Sequence, residues 1–334
     1  MLNPSYITYI NWHKLVNAVK LITSYWISVV FKRVFVWGYP YAISIEPSNI
    51  CNLSCSECPA GNKSLSRKSG LLDYQLFKKI IDQTRKYAIY LNLYLQGEPF
   101  LNPLLFKMIK YADENNIYTS TSTNGHFIDN ESAKKIINSG LKKIIVSVDG
   151  TMQETYQIYR QRGNLNQVLS GIRLLAELKK EFKSKTPEIE IQFIVFKHNQ
   201  HQVNEIQQIG KDVGANTVVL KSAQILNPNI NFKLIPSIQK FARYRKKNTG
   251  YKIKSNLRNR CFRLWQTLVI TLEGIVIPCC FDKNADYKSG DIKDLTLPAI
   301  WKSKNFNTFR KKVLASRKKV SICCNCTNGL HIKY

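Results

Sequence analysis

The stretch IEPSNICNLSCSECPAGNKS, residues 45–64, sets Cys51, Cys55 and Cys58 in a C-x3-C-x2-C array directly after a strand-like run, YAISIEP (41–47). A disulfide joins a pair of thiols, and a structural zinc takes a tetrahedron of ligands. No histidine stands close by to complete such a tetrahedron; on the C-terminal side the next is His126. Iron–sulfur cubes are usually held by four thiolates. A trio of thiolates leaves one iron with a free position for a small molecule, by the logic that keeps a position open in catalytic zinc sites.

Outward from this loop, short β-type runs alternate with helical ones. Asp73 caps a helix over 74–87, with Leu76, Phe77, Ile80 and Ile81 on one face. AIYLNLYLQ (88–96) reads as a second strand, and 101–116 as a helix with Asn102 as cap and Pro103 in its first turn. IYTSTST (117–123) is a third strand, and Gly140 ends a helix over 130–139. KKIIVSVDG (142–150), a helix over 166–182, EIEIQFIVF (188–196), a helix over 201–213 ending at Gly214, and NTVVLKS (216–222) complete six β–α repeats. Such alternation predicts parallel strands with right-handed crossovers, and chemistry at their C-terminal ends. The cysteine loop, QGEP (96–99), STNG (122–125) and SVDG (147–150) all fall at such ends.

Together these motifs resemble the radical S-adenosylmethionine (SAM) superfamily. The resemblance implies an α/β fold, a partial (β/α)6 TIM-like barrel, over residues 41–222. It implies that Cys51, Cys55 and Cys58 hold a 4Fe–4S cluster whose open iron chelates SAM. Reductive cleavage of SAM then gives a 5′-deoxyadenosyl radical that takes a hydrogen from the substrate. QGEP resembles the family's GGEP turn at the SAM amino group, so Gly97 and Glu98 are candidates, with Gln96 standing where the family has glycine. Ser122, Thr123 and Asn124 resemble the ribose motif. VSVDGTMQETYQIYRQRG (146–163) matches a segment from which Ser147 and Arg160 are candidates for the ribose or the methionine carboxylate, and Asp149 for shaping the turn. No catalytic residue beyond the cluster is assigned, because hydrogen abstraction by a radical needs no general base.

A second cysteine group lies far along the chain. Cys261, Cys279, Cys323 and Cys326 offer four thiolates, enough to close a cluster completely. Gly274 marks a hairpin tip within WQTLVITLEGIVIPCC (265–280), and a helix is expected near 296–315. This resembles the SPASM/twitch extension of radical SAM enzymes, with thiols for one auxiliary 4Fe–4S cluster. Cys280 and Cys324 adjoin ligands, so the set could slip by one, and spacing alone leaves a four-cysteine zinc ribbon as the alternative. The chain thus divides into an N-terminal helical extension (1–40), a core (41–222), a polar, strand-poor connector (223–260) and a small iron–sulfur module (261–334).

Charge and composition narrow the partners. Fifty Lys and Arg against 22 Asp and Glu give a formal charge of +28. The basic residues are scattered, which fits a lysine-rich composition; an acidic peptide or RNA is the other reading. Nine clustered cysteines without a cleavable secretory signal point to a reducing cytoplasm. LVNAVKLITSYWISVVFKRVFVWG (15–38) is interrupted by Asn17, Lys20, Thr23 and Ser24. It reads either as a helix docked on the fold or as an interfacial helix making peripheral membrane contact, helped by Lys32 and Arg33. The expected partners are an electron donor such as flavodoxin or ferredoxin and a peptide or small alcohol or sugar substrate; nucleic acid is the less favoured one. The rival readings are a non-catalytic iron–sulfur or zinc protein and an RNA-modifying radical SAM enzyme.

Overall fold

A computed structural model describes residues 4–248 and 250–326. The chain runs through α1 (Trp12–Phe31), β1 (Ala42–Ile45), α2 (Tyr74–Thr84), β2 (Tyr90–Asn92), α3 (Leu105–Glu114), β3 (Tyr118–Thr123), α4 (Asn130–Asn138), β4 (Lys143–Ser147), α5 (Gln153–Tyr159), α6 (Leu165–Glu181), β5 (Glu188–Val195), α7 (Val203–Asp212) and β6 (Thr217–Ser222). It continues with β7 (Tyr244–Lys247), β8 (Gly250–Ile253), α8 (Arg263–Gln266), β9 (Thr267–Ile270), β10 (Ile275–Ile277), β11 (Gly290–Asp291), α9 (Leu297–Trp301) and α10 (Lys304–Ser316). Two compact units form. One gathers the chain up to Ile50, Leu65–Ser120 and Leu257–Cys326; the other gathers Cys51–Ser64 and Thr121–Asn256.

In the first unit β1, β2 and β3 are parallel neighbours, with Ala42 opposite Tyr90 and Tyr90 opposite Tyr118. On its other side β1 takes β9, also parallel, with Ile45 opposite Ile270. Strands β10 and β11 follow, antiparallel. All four residues of β1 are buried, as expected of a central parallel strand covered on both faces. The β9–β10 turn is made at Gly274, whose φ of 90° suits glycine. Its place is fixed by charge: buried Glu46, just after β1, takes both terminal nitrogens of Arg67 at 2.6 and 2.7 Å. Arg67 also reaches Glu273 at 2.9 Å, and Leu272 N–H donates to Glu46. A bidentate guanidinium–carboxylate pair of this kind sets geometry as well as energy.

Helix α2 follows its sequence pattern. Asp73 caps it by accepting from Leu76 N, and Phe77, Ile80, Ile81 and Thr84 face the core. It ends three residues earlier than expected, where the Tyr87 and Ala88 N–H groups turn back to Thr84 O. The expected helix at 101–116 is also shorter, because Asn102 is used elsewhere. Its amide bonds the carbonyls of Pro47 and Leu72, and Pro99–Leu101 forms a separate 3-10 turn. The expected helix at 296–315 is two helices, since Ser303 starts α10 afresh by accepting from Phe306 N. Helix α1 begins before and stops before the expected stretch, with Lys32 in the left-handed region at φ 52°.

In the second unit β4, β5 and β6 are parallel, with Ile144 opposite Ile189 and Ile191 opposite Val218. The connector is not strand-poor. Tyr244–Lys247 and Gly250–Ile253 pair as the antiparallel strands β7 and β8, Tyr244 opposite Ile253. Ile225, Ile235, Ala242 and Tyr244 join Leu53, Cys55, Tyr159, Phe196 and Ala223 in one buried cluster. Arg245, Lys246, Lys247 and Lys252 lie exposed on the hairpin, so backbone pairing and a few inward side chains hold a segment whose composition is polar.

Candidate functional site

The loop after β1 turns on itself within the second unit, with Cys58 N–H donating to Cys55 O at 3.2 Å. Cys55 is buried, and Cys51 and Cys58 pack half-buried against the same apolar cluster. Burial raises the Cys55 pKa, the Arg160 charge lowers it and the Cys58 thiolate raises it again.

Asp149, fully buried after β4, organises the charge here. Its Oδ2 accepts from Arg160 Nε at 2.6 Å, and its Oδ1 from Ile194 N at 2.6 Å. Arg160 Nη1 thereby sits 4.0 Å from Cys55 Sγ. Burial opposes the Arg160 charge, but Asp149 and the neighbouring thiol more than offset it, holding its pKa well above the ordinary guanidinium value. Burial raises the Asp149 pKa, and Arg160 pulls it back. Asn199 completes the brace by donating to Asp149 O and Ile194 O.

The STNG turn follows β3. Thr123 and Asn124 are buried, Ser122 half-buried, and Ser147 at the end of β4 buried. Asn124 Nδ2 donates to Asn52 Oδ1 at 2.7 Å and lies 3.9 Å from Cys51 Sγ. His126, raised above only as the next histidine on the C-terminal side of the cysteine loop, holds this arrangement. Its Nε2 accepts from Asn164 N at 2.8 Å, so Nδ1 carries the proton and donates to Asn124 Oδ1 at 3.0 Å. With both ring nitrogens engaged, His126 is a second-layer support and not a metal ligand; burial lowers its pKa. Asn52 and His126 are the neighbours that motif reading missed. The adjacency of Asn124, Gly125 and His126 was the available signal.

The QGEP turn belongs to the first unit. Gly97 has φ 67°, and a Cβ there would lie 2.6 Å from both Ile50 O and Ser48 O. Glu98 N donates to Ile50 O at 2.7 Å, fixing the residue that precedes Cys51 in the chain. Glu98 caps the following 3-10 turn by accepting from Phe100 N. Gln96 takes no positive φ, so the turn tolerates it in place of glycine. Its Nε2 donates to Leu95 O, while its Oε1 is buried with no partner among the described residues. Gly97→Ala is expected to destabilise the protein by roughly 1–3 kcal/mol from backbone conformation alone, and by more from the overlap. A drop in the urea midpoint checks this.

The C-terminal thiols lie in the first unit. Cys261, Cys323 and Cys326 act on one another's charge, with Arg317 among them donating to Cys326 Sγ at 3.3 Å. Cys279 acts on Cys261 and contacts Cys280. Burial pushes Cys323 up to about 11, against the pull of Arg317. Arg263 Nη1 lies 3.7 Å from Cys280 Sγ. Cys324 is exposed, its thiol turned to the carbonyls of Lys318 and Val320 at 3.5 Å. Asp282 accepts from Asp286 N and Tyr287 N, capping the turn after the cysteine pair. Among the described residues no three such side chains are drawn up around a single metal ion.

Comparison with known proteins assigns this architecture. Residues 45–189 match the Radical SAM superfamily, and residues 261–327 match the SPASM iron–sulfur cluster-binding domain. The tungsten-containing aldehyde ferredoxin oxidoreductase cofactor-modifying protein of Pyrococcus furiosus is 24% identical over 302 residues, 80% of this chain and 82% of that one. The PqqA peptide cyclase of Gluconobacter oxydans is 23% identical over 291 residues, 81% and 79% of the two chains. The fold is similar to that of Streptococcus suis SuiB bound to S-adenosylmethionine, with a TM-score of 0.66 at 12% identity over 95% of this chain and 77% of that one. The chain belongs to the radical SAM superfamily and carries a C-terminal SPASM domain. It is an enzyme of that family, α/β in fold, and its cofactors are a 4Fe–4S cluster, SAM and auxiliary iron–sulfur.

Proposed function

We propose that Cys51, Cys55 and Cys58 hold the SAM cluster, and that the protein modifies a peptide by hydrogen-atom abstraction, with net oxidation of the substrate. The donor set fits the group: three thiols share one loop and one apolar cluster, and His126 is spent on Asn124 and Asn164. Held there, the cluster would supply one-electron reducing chemistry toward SAM, with a protein such as flavodoxin or ferredoxin as the source of the electron. The chain's own residues bind and orient. Arg160, fixed by Asp149, meets the methionine carboxylate or the ribose, together with Ser147. The unpartnered Oε1 of Gln96, beside Gly97 and Glu98, accepts from the methionine ammonium. Ser122, Thr123 and Asn124 line the ribose, while Asp149 acts as a positioning residue. Burial around Cys55, Tyr159 and Phe196 keeps water from the radical. Cys261, Cys279, Cys323 and Cys326 hold an auxiliary cluster.

The observation that carries this reading is the Asp149–Arg160–Cys55 alignment at the cysteine loop. The peptide assignment draws on the similarity to a peptide cyclase and on a charge of +28, which suits an acidic peptide. Seven of the nine cysteines suffice for one SAM cluster and one closed auxiliary cluster, which favours a small alcohol as the second reading. The test is anaerobic reconstitution with dithionite and SAM. 5′-Deoxyadenosine is expected from the wild type and not from Cys58→Ala; equal yields from both overturn the site assignment. Stimulation of that yield by an acidic peptide encoded beside this gene, and not by sugars, would decide between the substrates.

A further inference from the structure

Helix α1 packs one side into the fold and leaves a second apolar side uncovered. The side it buries is mixed: Ala18, Leu21 and Tyr25 pack with Lys14, Ser24 and Ser28, and Tyr25 meets the rings of Phe262 and Trp265. Those contacts are specific, with Lys14 Nζ donating to Asn116 O at 2.6 Å, Asn17 bonding both backbone groups of Tyr39, and Ser28 Oγ accepting from Phe35 N. The opposite side is apolar and bare. Trp12, Leu15, Val19, Ile22, Trp26 and Val30 recur at helical spacing, with Trp12 73% and Val30 71% exposed. Phe31, Trp37 and Ile7 extend the exposed apolar surface.

Charge says what covers this face. The first acidic residue in the chain is Glu46, so no carboxylate accompanies the helix. Exposed Lys20 flanks the apolar stripe, exposed Lys32 and Arg33 stand at its C-terminal end, and the Arg260 guanidinium lies 5.7 Å over the Trp26 ring. An apolar stripe with indoles along it and cations at its margin is the pattern of a helix lying in the headgroup layer of an anionic membrane. By length and composition α1 could also cross a bilayer. Crossing would strip Lys14, Asn17 and Ser28 of the partners just described, whereas lying flat keeps all of them.

We propose that the outward face of α1 docks the protein on an anionic lipid surface as a peripheral contact. The experiment is flotation of the reconstituted full chain with vesicles of phosphatidylcholine, alone or mixed with phosphatidylglycerol. Wild type is expected to float with the mixed vesicles and to be released by raised salt. The Lys32→Gln/Arg33→Gln pair should bind roughly tenfold or more weakly. Trp12→Gln/Val19→Gln/Val30→Gln should abolish flotation, with iron content and 5′-deoxyadenosine yield unchanged, which separates lost docking from lost folding. Absence of flotation, flotation that survives the triple substitution, or retention through alkaline carbonate extraction each overturns the proposal. So does a dimer in solution that the triple substitution dissolves without any effect of lipid, because the face would then belong to a second copy.

Discussion

Asp149→Ala is expected to cost about 3–5 kcal/mol of folding stability, the penalty for leaving a buried charge without its partner. Asp149 is fully buried and holds Arg160 at 2.6 Å, and Arg160 is itself largely buried. Removing the carboxylate strands the guanidinium and also leaves Ile194 N–H without its acceptor. The companion variant is Asp149→Ala/Arg160→Met, which takes out both charges and should recover most of the lost stability, because apolar replacement of a buried pair is often close to neutral. On the role proposed for Arg160 it should not recover SAM cleavage, since no guanidinium then stands beside Cys55. Anaerobic denaturation of the two variants, read beside 5′-deoxyadenosine formation, separates the pair's structural part from its positioning part. Full SAM cleavage by the stable double variant would remove Arg160 from the site.

The second large effect is expected at the other thiols. Cys326→Ala should lower iron from about eight to about four atoms per chain while leaving the remaining cluster able to cleave SAM. Cys326 is buried against Arg317, which also bonds Arg260 O, so this thiol sits at the centre of its group. Cys324→Ala should leave the iron count unchanged, because that thiol is exposed and occupied with backbone carbonyls. A loss of iron from Cys324→Ala equal to that from Cys326→Ala would exchange the two as ligands. The expected phenotype of Cys326→Ala is uncoupling: 5′-deoxyadenosine forms and no substrate is converted.

How far the sequence could be read depended on the kind of interaction. The trio of cysteines, the β–α alternation and the β9–β10 hairpin are local patterns, and local patterns survive in sequence. The β7–β8 hairpin was hidden, because Ile225, Ile235, Ala242 and Tyr244 are sparse among basic residues and become core only by meeting Leu53 and Cys55. Asn102 looked like a helix cap and instead staples Pro47 and Leu72, a long-range use of an amide that no spacing announces. The role of His126 was equally hidden, since its two partners become its neighbours only once the chain is folded. In α1 the sequence left a docked helix and an interfacial helix both open, because it could not tell which side of the helix would be packed. A moment has a direction within the helix and none within the fold.

The pairing of β1 with β9 bears on how this protein can be handled. Ala42–Ile45 finds one of its two neighbours in Thr267–Ile270, more than two hundred residues away. A chain cut after Asn256 would keep every residue of the cysteine loop and every SAM motif, yet leave β1 as a raw margin of unpaired amides in an apolar strand. Exposed margins of that kind recruit other chains. The truncated enzyme is therefore expected in the insoluble fraction, and the smallest workable version of this protein runs through to its last cysteine.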